Sequence, residues 1–63
     1  MRLADFIKVY RFLGGMRYPA TKQQLVDQAR SNKADDEALS SLRGMPEREY
    51  NGLDEVSEVF AED

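Results

Sequence analysis

The chain has 63 residues, a net charge of −3, and neither histidine nor cysteine. A chain of about this length buries only ~60% of its unfolded surface, so it forms one small domain with a thin stability margin. Without histidine or cysteine it lacks the commonest general base, the commonest transition-metal ligand and any disulfide staple, so it is not expected to be an enzyme.

The first predicted element is a helix over residues 3–13. Leu3, Phe6, Ile7, Tyr10 and Leu13 follow the i, i+3, i+4, i+7 rhythm of a core-facing stripe. Val9, Phe12 and Met16 make a second apolar stripe beside it. At about 100° per residue the combined arc covers roughly 220°, more than one small core requires. Either the helix is central, with the other helices packed around it, or Val9, Phe12 and Met16 stay open as a docking patch for a second copy or another protein. Methionine suits such a surface because its side chain is flexible and polarisable. Asp5, Lys8 and Arg11 interrupt any leader-like apolar run, and no stretch approaches the roughly 20 residues needed to span a bilayer. The expectation is a cytoplasmic protein with no membrane partner.

Gly14-Gly15 ends this helix, one glycine being free to take the left-handed conformation of a C-terminal cap. The pair lacks the Gly-Lys-Ser/Thr continuation of a phosphate loop. Pro19 fixes its own φ and pushes Tyr18 towards an extended conformation. Thr21 and Gln24 then have capping-box spacing, in which each side chain satisfies the other residue's free backbone N–H. The second helix is placed at 22–31, with Leu25, Val26 and Ala29 as a narrow buried edge and Asn32 as a left-handed cap.

Asp35 is the expected N-cap of a third helix at 36–43, and Asp36 and Glu37 put negative charge in its first turn. The acidic triplet lacks the alternating ligands and central glycine of a calcium loop, so helix-start chemistry accounts for it. Ala38, Leu39 and Leu42 point inward, and Gly44 ends the helix. Met45-Pro46 opens a second linker that mirrors the first, with Tyr50 as an inward anchor. Asn51 is the expected N-cap of a fourth helix at 52–61, whose apolar edge is Leu53, Val56, Val59 and Phe60. No alternating pattern is long enough for a strand. The class is all-α, a small bundle of four short helices in one domain.

The run Tyr18-Pro19-Ala20-Thr21-Lys22-Gln23-Gln24-Leu25-Val26 resembles the signature of a short bacterial family, domain of unknown function twenty-seven ninety-five. Gly15, Ala29, Leu39, Leu42, Gly44, Pro46, Tyr50 and Val56 fit the same pattern, and Met45 stands where leucine is commoner. The resemblance covers roughly Leu13 to Val59. It implies a small helical bacterial domain and assigns no activity.

Charge is divided unevenly. Residues 1–33 carry seven cations against two carboxylates, net +5, and residues 34–63 carry two cations against ten, net −8. Such halves attract each other within one bundle or steer a charged partner. No catalytic, cofactor-binding or metal-ligating residue is expected, because each carboxylate has a capping or solvation role and Ser40, Ser41 and Ser57 have no base in sight. The leading expectation is a protein-interaction module that docks through the first helix, on itself or on another protein. A second is a helix-turn-helix-like nucleic-acid binder using Lys8, Arg11, Arg17, Lys22 and Gln23, disfavoured because the acidic half repels phosphate. A third is an accessory subunit stabilised inside a larger assembly.

Overall fold

The computed structural model describes residues 2–61. Its four helices are α1 (Leu3–Tyr10), α2 (Lys22–Ser31), α3 (Asp36–Arg43) and α4 (Leu53–Ala61). Two two-residue strands, β1 (Ala20–Thr21) and β2 (Glu49–Tyr50), pair antiparallel with Ala20 opposite Tyr50 and Thr21 opposite Glu49. The strand pair is too short to read as alternation. It clips the α1–α2 linker to the α3–α4 linker and leaves the all-α class unchanged.

Local chemistry explains the middle of the chain. The Thr21 hydroxyl accepts from the Gln24 N–H at 3.2 Å, and the Gln24 side chain accepts from the Thr21 N–H at 2.8 Å, closing the expected capping box. Asp35 caps α3 by accepting from the Ala38 N–H at 2.9 Å. Leu25, Val26 and Ala29 of α2 and Ala38, Leu39 and Leu42 of α3 are all buried. These two helices pack together, and Tyr50 is wholly buried with its hydroxyl donating to the Pro46 carbonyl at 2.8 Å.

Two boundaries and one cap depart from expectation. α1 stops at Tyr10 rather than residue 13, because the chain tightens into i→i−3 bonds, Phe12 N–H to Val9 and Leu13 N–H to Tyr10. The exit is held from α2: the Asn32 amide donates to the Phe12 carbonyl at 2.7 Å, and the Gln28 amide to the Gly14 carbonyl at 2.8 Å. Gly15 supplies the left-handed residue, φ 82°. At the end of α2 the left-handed residue is Lys33, φ 65°, not Asn32, φ −88°. Ala34 N–H bonds Ala29 and Lys33 N–H bonds Arg30, a Schellman motif with lysine where glycine is usual. Asn32 is committed instead to the α1 exit. At the start of α4 the helix begins at Leu53 rather than residue 52, so Gly52 occupies the place expected of Asn51. Asn51 donates rather than accepts: its N–H and amide both reach the Glu55 carboxylate, at 3.1 and 3.2 Å.

Candidate functional site

α1 packs against α3 and α4, and this pair of neighbours decides which of its faces is covered. Lys8 pairs with Glu37 of α3, and the Phe6 ring lies 5.8 Å from that of Phe60 in α4. Taken round the helix at about 100° per residue, the sequence of faces is Lys8, Asp5, Val9, Phe6, then Tyr10, Leu3, Ile7, and finally Arg11. α3 therefore borders the Lys8 side, Val9 enters the core, and α4 borders the Phe6 side. The arc beyond Phe6 is the exposed one. Ile7 is 69% exposed, Leu3 56% and Tyr10 54%.

This reverses the assignment made from the sequence. Val9, expected on an open docking patch, is fully buried, and Phe12 and Met16 are half-buried against the core. Leu3, Ile7 and Tyr10, expected to face inward, are the exposed ones, while from the same stripe Phe6 is half-buried and Leu13 buried. No local signal separates the two stripes, because both adjoin Phe6 on the helix. Only the docking positions of α3 and α4 distinguish them.

The open arc continues across the seam between α1 and α4. Tyr10, Leu13, Met16, Tyr18 and Leu53 line a shallow groove of about 400 Å³, with Arg11 at its edge. Burial pushes the Tyr18 phenol above its ordinary pKa. α4 runs antiparallel to α1, since Phe60 meets Phe6 while Leu53 shares the groove with Tyr10. On its far side α4 exposes Asp54, Glu58 and Ala61, and Ser57 lies half-buried nearer the seam. The seam thus has an apolar floor, a basic border at Arg11, and an acidic border at Asp54 and Glu58. Among the described residues Arg11, Asp54 and Glu58 make no ion pair.

The cations considered for nucleic acid are largely spent within the fold. Lys8 pairs with Glu37, and Lys22 pairs with Glu47 at 3.0 Å while donating to the Arg43 carbonyl at 3.0 Å. The Gln23 amide donates to Asp27 at 2.9 Å, leaving Arg11 and Arg17 exposed. Two acidic side chains of the second half therefore neutralise two lysines of the first. Among the described residues no group of acidic side chains gathers as a metal site, and no helix is long and apolar enough to cross a membrane.

Tyr18, Pro19, Thr21, Gln24 and Leu25 form the linker and cap that set the start of α2, and Gly44, Pro46 and Tyr50 form the linker that holds β2 against it. These residues shape the fold and do not gather at the α1–α4 seam, apart from Tyr18 in the groove. No curated protein and no solved structure matches the chain. A family model matches residues 4–57, reaching back through α1, which lay outside the stretch of resemblance read from the sequence. The chain belongs to the family described as Protein of unknown function (DUF2795).

Proposed function

We propose that this domain is a non-enzymatic protein-interaction module whose contact surface is the exposed arc of α1, Leu3, Ile7 and Tyr10, together with the adjoining groove. One observation carries this reading: three large apolar side chains, each more than half exposed, stand in line on one short helix of a domain with a small core. An isolated exposed leucine needs no explanation, but a contiguous apolar stripe with polar borders is the usual mark of a contact surface. The spent lysines favour this reading over nucleic-acid binding, which needs free cations against phosphate.

The test is photo-crosslinking in cells that express the protein, with the reactive side chain placed at Ile7 or, as a control, at the exposed Arg30 of α2. Protein adducts, to a second copy or to another chain, are expected at Ile7 and not at Arg30. Equal yields at both positions, or none at either, would remove the reading.

A further inference from the structure

The two borders of the α1–α4 seam differ in sign, and that asymmetry selects a partner. A lipid or nucleic-acid phosphate would meet Arg11 favourably but Asp54 and Glu58 unfavourably. A matching surface must present an apolar strip with an acidic border opposite Arg11 and a basic border opposite Asp54. The same seam on a second copy, turned about a twofold axis, supplies that pattern.

Two twofold arrangements bring the seams face to face. With the axis perpendicular to the seam, α1 lies on α1 and α4 on α4, so acid meets acid and base meets base. With the axis parallel to the seam, α1 of each copy lies across α4 of the other and opposite signs meet. Heights along the seam are then preserved. Phe6 and Phe60 lie level, so at 1.5 Å per residue Arg11 falls near Asp54 of the other copy. α1 also runs antiparallel to that second α4, as it does to its own.

We infer that this chain forms a twofold dimer through the α1–α4 seam, with α1 of each copy seated on α4 of the other and Arg11 facing Asp54 across the interface. This rests on the contact surface proposed above and names its occupant. A standard interface takes roughly 800 Å² from each partner. That is about a fifth of the 4135 Å² the domain exposes, so the contact spreads over both helices and their borders. An apolar strip of three side chains places it among transient dimers, with an affinity that falls as salt screens the borders.

The experiment is sedimentation equilibrium of the full chain up to concentrations on the order of 1 mM, at low and high salt, with retention of fold in each variant checked by circular dichroism. The wild type is expected to dimerise more weakly at high salt. Ile7→Asp should weaken the dimer at least tenfold, and Arg11→Glu and Asp54→Arg severalfold each. The double variant Arg11→Glu/Asp54→Arg should recover most of the loss, because the swap re-pairs both borders. A wild type that stays monomeric throughout overturns the dimer. So does a double variant no stronger than the weaker single, which would mean that Arg11 and Asp54 do not face each other. Adducts at Ile7 alongside a monomeric wild type would leave the contact surface standing with a different occupant. A monomer without adducts would remove both.

Discussion

Helices α1 and α2 are separated by one linker and meet opposite fates. α2 has ten residues with three apolar side chains, and Leu25, Val26 and Ala29 are all buried. α1 has eight residues with five large apolar side chains, and three of them are exposed. α2 begins in a complete capping box, whereas Arg2, ahead of α1, makes no side-chain cap. Apolar content is thus a poor guide to burial here. What decides it is how the neighbours are placed, and α1 has α3 and α4 on adjoining sides and an exposed third side. The helix that is locally best specified has no surface to spare. The one defined mainly by packing has a whole face left over.

The contrast is open to direct attack, and the core gives the largest effect. Leu25→Ala, at a wholly buried position, should cost about 2–5 kcal/mol through lost transfer energy and the cavity left behind. A chain of this length has only roughly 3–9 kcal/mol in hand, so this variant is expected to be largely unfolded at 37 °C. Ile7→Ala, on the open arc, should change monomer stability by less than about 0.5 kcal/mol. Urea midpoints of the two variants at low protein concentration make the comparison. Similar losses would mean that Ile7 is covered in the monomer and that the two helices do not differ as described.

A smaller effect tests the capping difference. Thr21→Ala removes the acceptor for the Gln24 N–H and should cost about 1 kcal/mol, within a range of roughly 0.5–2. At the other end of α2 the sign reverses. Lys33 holds a positive φ, which costs a residue with a side chain about 1–2 kcal/mol relative to glycine. Lys33→Gly relieves that strain but adds freedom to the unfolded chain, leaving a net gain of about 0.5 kcal/mol. Thermal unfolding should show a small upward shift. A downward shift would mean that the lysine side chain contributes more than its backbone costs.

These predictions fall where the sequence was easiest to read and where it was hardest. The four helices, the Thr21 box, the Asp35 cap and the buried Tyr50 were legible, because each depends on residues within a few positions of one another. The Asn32 and Gln28 amides that hold the α1 exit were not, since each reaches 14 or more residues back along the chain. Lys33 carries no such local signal, because Asn is the commoner left-handed residue after Gly, and here the Asn32 side chain is occupied elsewhere. The exposed apolar arc lies on the other stripe of α1 from the one expected. Periodicity shows that α1 has more apolar arc than one core needs, and it is silent on which part α3 and α4 cover.

The starts of α2 and α4 provide the finest comparison, because one cap is neutral and the other is charged. Thr21 and Gln24 do not titrate. At α4 the Glu55 carboxylate accepts from the Asn51 N–H and amide and from Arg48, at 3.2 Å for the last. The Asn51 backbone bond is the main cause holding its pKa below the ordinary value of 4.5, followed by the Asn51 side chain, with the Arg48 charge adding to them. A depressed carboxylate favours the folded state only when it is ionised. Its contribution is therefore complete above the unfolded pKa and disappears as pH falls through the lower folded value. Between neutral pH and pH 3 the wild type should lose stability that Glu55→Gln does not lose, so their denaturation midpoints should converge on acidification. Amide exchange at the first turn of α4 should quicken over the same interval, while that of α2 should not change with the ionisation of its cap. Midpoints that run parallel from pH 7 to pH 3 would show that Glu55 does not hold the start of α4 through its charge.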